Sequence, residues 1–221
     1  MNFLIALCKQ EAKQNLKGLW WFMAGAALIL FAIDAIPALL SPATYVDEEL
    51  LTGTEQAIDF ATTILSILLF PITVGWLWLN LDIIRQQDVS IERIFRAFTT
   101  MYWKSVWVNI LMGFFLFFWT LLLIIPGIIK SFSYSLTIYI LHDRPELSAL
   151  EAITESRKMM DGYKGQAFLL TLSFIGWFIL GILTLGIGFL FIYPYYSATY
   201  ARFYEEIKEG YDLDEVSTTV Q

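Results

Sequence analysis

Ser131, Ser135, His142 and Asp143 are the residues of this chain whose types could do covalent chemistry. A hydroxyl, an imidazole and a carboxylate are the parts of a nucleophile, a base and the group that orients the base. The spacing defeats that reading. Ser135 and His142 are seven positions apart, which along a helix is about 10 Å, and proton transfer needs hydrogen-bond reach. A metal site fares no better, because His142 beside Asp143 offers two ligands where about three or four are needed. No Walker loop, HExxH or GxSxG string is present. The expectation is therefore no enzyme: no catalytic residues, no metal and no cofactor.

The same residues pattern differently as a surface. At about 100° per residue, Ser131, Ser135 and His142 share one helix face, flanked by Tyr134, Ile138 and Tyr139. Further on, Tyr193, Tyr196, Tyr200 and Tyr204 recur at helical spacing. Small hydroxyl residues let apolar helices approach and hydrogen-bond across the contact, so both stripes read first as packing faces. The sharper reading is a polar and aromatic cleft built from Lys130, Ser131, Tyr134, Ser135, Tyr139, His142, Tyr196 and Tyr200. Lys130 is expected to run its stem along apolar surface with its ammonium at the outer interface, or to line an outer vestibule. Asp34 and Asp59 are its candidate partners.

The elements that must position these residues are apolar. Of 221 residues, 57% are hydrophobic and only 16% charged, with mean hydropathy +0.62. A soluble domain carries about 25% charged residues. About 20 apolar residues in a helix span a bilayer, and candidate spans lie at 19–40, 59–81, 105–125, 127–142, 166–184 and 187–204. Only helices satisfy their own backbone in lipid when no barrel closes. Pro126-Gly127 separates the third and fourth spans, and Leu185 to Gly188 the fifth and sixth. Pro71 and Pro194 predict kinks. The first apolar run is too long for a cleaved signal and is expected to be retained. The segments 1–18, 82–104, 143–164 and 202–221 hold 13 of the 14 Lys and Arg. Basic segments stay cytoplasmic, so both termini are expected inside. The fold class expected is an all-α membrane protein, with six transmembrane helices in three hairpins and amphipathic cytoplasmic helices.

The cytoplasmic segments carry their own patterns. Ile91, Ile94, Phe95 and Phe98 recur at i, i+3, i+4, i+7 and predict an amphipathic helix with an interaction face. Ser148 and Glu151 predict a capping box, followed by an apolar stripe of Ala149, Ala152, Ile153 and Met160. Residues 3–16 align Leu4, Cys8, Ala12 and Leu16. Cys8 is the one cysteine; it excludes an intramolecular disulfide and reads as an apolar filler. A shift of about 60 positions places Lys104 on Lys164 and Pro126 on Gly186, a repeat of parallel units. The organisation expected is an N-terminal helix at 1–18, a membrane domain at 19–204 with units 19–81, 105–142 and 166–204, and an acidic tail at 205–221. The tail is expected to be solvated beyond about residue 210 and frayed at its end.

The string "IIPGIIKSFSYSLTIYILHDRPELSALEAITESRKMMDGYK", followed by "LSFIGWFILGILTLGIGFLFIYPYYSATYARFYEE", resembles the bacterial integral membrane protein family catalogued as domain of unknown function 975. The resemblance is good over about residues 95–206 and looser over the first two spans. It implies a multispan protein of bacterial plasma membranes and carries over no catalytic residue. The acidic loop at 41–57 and the acidic tail fall outside it. A net charge of −7 excludes a nucleic-acid partner. Membrane lipids are the expected partners, together with a protein at the cytoplasmic helices; an oligomer is open. The middle of every span lacks Asp, Glu, Lys and Arg, which favours a scaffold or accessory protein. The alternative is a small transporter or channel.

Overall fold

Thr52 starts the longest spanning helix. Its side chain accepts from the Glu55 backbone while the Glu55 carboxylate accepts from the Thr52 amide, a capping box that satisfies two orphan donors. Thirty-two residues then follow without a break to Ile84. The structure, a computed structural model, describes the backbone of residues 2–45 and 47–219 and the side chains of residues 3–45, 47 and 49–212. Among these residues every regular element is helical and no strand occurs. In chain order they are α1 (Asn2–Asn15), α2 (Trp20–Leu40), α3 (Gly53–Ile84), α4 (Arg96–Thr100), α5 (Tyr102–Leu122), α6 (Ile124–Tyr134), α7 (Thr137–Asp143), α8 (Ala149–Met159), α9 (Lys164–Leu172), α10 (Ile175–Leu183) and α11 (Phe189–Thr219).

Among the described residues, five helical segments are long and apolar enough to cross a membrane: α2, α3, α5, α6 with α7, and α9 with α10. The segment expected as the sixth span opens α11, where Tyr193, Tyr195, Tyr196 and Tyr200 dilute the apolar run. The helix runs on from there into the acidic tail, with helical backbone to Thr219. The side chains expected to leave the tail solvated lie, beyond Asp212, outside the described residues, as do Met1, Val220 and Gln221.

The expected turn at Pro126-Gly127 is displaced. The chain reverses at Leu123, an extended residue at φ −163°, and α6 begins at Ile124. Pro126 therefore lies in the first turn of a helix, where its missing N–H costs nothing. Gly127 serves close approach: a Cβ there would stand 2.5 Å from Thr120 Oγ1 on α5. The second break falls at the expected place, with Leu185 at φ +53° and Gly186 at φ +90° between α10 and α11.

One helix break is held by a hydroxyl from another helix. α6 ends at Tyr134 and α7 begins at Thr137, and the step between them is held by α8. Ser156 Oγ donates to the Ser133 carbonyl at 2.8 Å and accepts from the Leu136 amide at 3.2 Å. A helix expected at the cytoplasmic surface thus reaches the middle of the fourth apolar segment. Its predicted capping box is present, and Ala152, Ile153 and Met160 are buried as the stripe requires.

The expected amphipathic helix over 91–98 is corrected. Ile91–Phe95 is a 3-10 turn and only Arg96–Thr100 is α-helical. The cause is Gly75 on α3: a Cβ there would stand 1.8 Å from the Ile94 carbonyl oxygen, so the two backbones touch. Ile94 is fully buried, while Ile91 and Phe95 are exposed and Phe98 is half-buried. In α1 the stripe of Cys8, Ala12 and Leu16 is completely buried. Burial pushes the Cys8 thiol up to about 12, so it stays protonated.

Candidate functional site

The ends of α3 and α7 meet the middle of α11 in a cluster of charges that spacing in the sequence does not announce. Arg85, just past α3, makes a two-pronged pair with Asp143 at 2.6 and 2.7 Å. It also reaches Glu205 on α11 at 2.6 Å. Asp143 further accepts from the Tyr204 hydroxyl at 2.8 Å and from Lys208 Nζ at 2.6 Å. Its carboxylate is only 9% exposed. A guanidinium fork on a carboxylate is among the strongest of ionic contacts, and the extra donors leave Asp143 no free lone pair. Burial opposes the charge on Arg85, but the Asp143 and Glu205 carboxylates outweigh it and hold its pKa above the ordinary value.

His142 sits inside this cluster rather than in a cleft with the serines. Its Nδ1 lies 3.2 Å from Asp143, and its Nε2 lies 3.5 Å from Asp82, long for a hydrogen bond. Asp82, buried at 1% exposure, binds Arg93 at 2.5 Å. The imidazole packs edge-on to Trp78, whose indole N–H donates to the Ile138 carbonyl at 2.9 Å. Among the described residues no group of three or more His, Cys, Asp or Glu has metal-site geometry.

Five residues of the expected cleft do come together. Ser131, Ser135, Tyr139, Tyr196 and Tyr200 line one open recess of ≈ 230 Å³, together with Leu77, Phe132, Tyr193 and Ser197. Most of its polar groups are already used. Tyr200 donates to Ser135 Oγ at 2.8 Å, and Ser135 donates to the Phe132 carbonyl at 2.7 Å. Ser131 donates back to Ile128, Tyr196 meets Thr171 at 3.3 Å, and Ser197 accepts from Trp76 at 2.9 Å. The walls are stacked: Tyr139 on Tyr204 with centroids 5.2 Å apart, and Tyr193 on Trp76 at the same separation.

Lys130 and Tyr134 lie elsewhere, facing α5 and α8. Lys130 Nζ is 4.6 Å from the Trp119 ring centroid, and neither Asp34 nor Asp59 pairs with it. Asp59 instead accepts from Ser41. The sequence reading missed Asp82, Arg85, Arg93, Glu205 and Lys208. Their one common signal is that each is a charge at the edge of an apolar run.

A family model described as protein of unknown function (DUF975) matches residues 6–130 and 120–210. No curated protein and no solved structure matches the chain. The model covers most of the chain, so the chain belongs to this family, with the acidic loop inside the matched range and the end of the tail beyond it.

Proposed function

From family membership and the chemistry above, we propose that this protein is a non-catalytic scaffold or accessory protein of the bacterial cytoplasmic membrane. It crosses the bilayer six times, with the upper half of α11 as the sixth pass, and keeps both termini and its basic segments in the cytoplasm. The observation that carries the reading is the use of the charged groups. The carboxylates and cations where α3, α7 and α11 meet are spent on one another, which makes a fixed platform and, among the described residues, leaves no nucleophile beside a free base there. The exposed Ile91 and Phe95 beside that platform supply a face for a protein partner.

A second reading, transport of a small molecule, is favoured by the aromatic cavity of ≈ 230 Å³. Thiol labelling separates the two. Cys8 is fully buried, so Ser135→Cys and Tyr200→Cys can be read in the native background. The scaffold reading expects an impermeant maleimide to reach neither position from either side of the membrane. Labelling of both positions from both sides would replace it with transport. A reporter fused after Gln221 is expected to be active only in the cytoplasm, and activity on the other face would sink the orientation.

A further inference from the structure

Among the cations that make no ion pair within the described residues, two sit side by side. Glu155 is shared by Arg144 and Lys158, and Asp161 is taken by Lys164. Lys130 and Arg157 make no ion pair among the described residues. They line the same pocket, ≈ 200 Å³, where α8 packs against α5 and α6. Tyr134 lines it too. It is 3% exposed, and its hydroxyl has no hydrogen-bond partner among the described residues. The one other hydroxyl there, on Thr154, already donates to the Leu150 carbonyl at 2.8 Å.

The pocket therefore offers an ammonium, a guanidinium fork and a phenol, all with hydrogens to give. Among the described residues, no carboxylate lines the pocket. Two like charges sharing a recess between apolar helices repel, and an anion placed between them reverses the sign of that energy. A phosphate answers this donor set well, because its oxygens can take the fork and the ammonium together. Phe115 and Trp119 form the apolar wall, and the wall continues onto the exposed Phe118 and Leu122. Lys130 lies six residues into α6, about 9 Å from its start. That depth suits a headgroup drawn in from the end of a span while its chains lie along α5.

We propose that the pocket between Lys130, Arg157 and Tyr134 binds a phosphate group, carried by an anionic lipid or free in solution. The inference does not depend on the scaffold reading, since a transporter would leave this flank equally open.

The test uses the full chain in a neutral mild detergent, titrated separately with dioleoylphosphatidylglycerol, dioleoylphosphatidylcholine and inorganic phosphate. Native mass spectrometry counts bound lipid, and the unfolding temperature reports binding of either ligand. The expected result is one retained phosphatidylglycerol, bound about tenfold more weakly in Lys130→Gln/Arg157→Gln. Lys130→Arg should keep it. Lys158→Gln, which removes a cation already paired with Glu155, should leave binding unchanged. Saturable stabilisation by inorganic phosphate alone, lost in the double variant, would assign the site to a free anion. Equal retention of phosphatidylglycerol and phosphatidylcholine by the wild type, with no response to phosphate, would overturn the proposal even if the double variant failed to fold. Unchanged phosphatidylglycerol binding in a folded double variant would also overturn it.

Discussion

α7 and α10 are short apolar helices with opposite fates. In α7, Thr137 to Leu141 are all buried, and Ile140 is wholly inaccessible. In α10 only Gly181 is buried, while Ile182 and Leu183 are 67% and 74% exposed. The first is enclosed by α3, α8 and α11; the second packs along α11 and leaves its other faces open. The contrast extends to the whole molecule. Near α7 the chain packs as a soluble core does, with Leu136, Ala201 and Phe203 fully buried. At the far ends, Leu121 to Ile125 stand 66–72% exposed. Apolarity says that a side chain leaves water; it does not say whether protein or lipid receives it. The packed half holds the inter-helix ion-pair cluster, because there partners from several helices converge on one carboxylate.

The comparison predicts a gradient of mutational cost, largest in the packed half. Asp143→Asn leaves Arg85 and Lys208 facing a neutral amide, and breaking such a buried pair costs about 3–5 kcal/mol. It should give the largest drop in unfolding temperature in detergent. Gly75→Ala drives a methyl into the Ile94 carbonyl oxygen. It should cost about 2–3 kcal/mol and loosen the 91–100 segment, read as faster proteolysis there. Ser156→Ala strands the Leu136 amide at the α6–α7 step, at about 1–2 kcal/mol. Proton exchange at Leu136 should rise while exchange at the α10 tip stays constant. Leu122→Ala, on the exposed end, should cost under about 0.5 kcal/mol in detergent. A loss there as large as that of Ser156→Ala would break the division into two halves. The Cys8 thiol, buried and held protonated, should react with maleimide only after unfolding, and labelling of the native chain would show the packed half to be loose.

Local signals were read well where the cause is local. Ser148 and Glu151 form a capping box because both partners lie in one turn. Leu185 and Gly186 reverse the chain because a positive φ is a local demand. The stripe of Cys8, Ala12 and Leu16 is buried because one helix face must go somewhere. The helical spacing of Ser131, Ser135 and Tyr139, and of Tyr196 and Tyr200, brought five cleft residues to one cavity. The errors were long-range. Ile91 to Phe98 have helical spacing, yet contact with Gly75 on another helix holds five of them in a 3-10 turn. Helical angle places His142 on the face of the serines, but Asp82 and Asp143 hold it at the cluster.

The amino-acid sequence by itself determined the apolar segments, the punctuation between them and membership of the family, because periodicity, glycine and capping residues act within a few positions. The tertiary structure alone decided which charges meet. Arg85, Asp143 and Glu205 are separated by 58 and 62 positions, and no spacing rule relates residues that far apart. Their pairing follows from two helix ends converging on the middle of α11, where an isolated charge would be costly to bury.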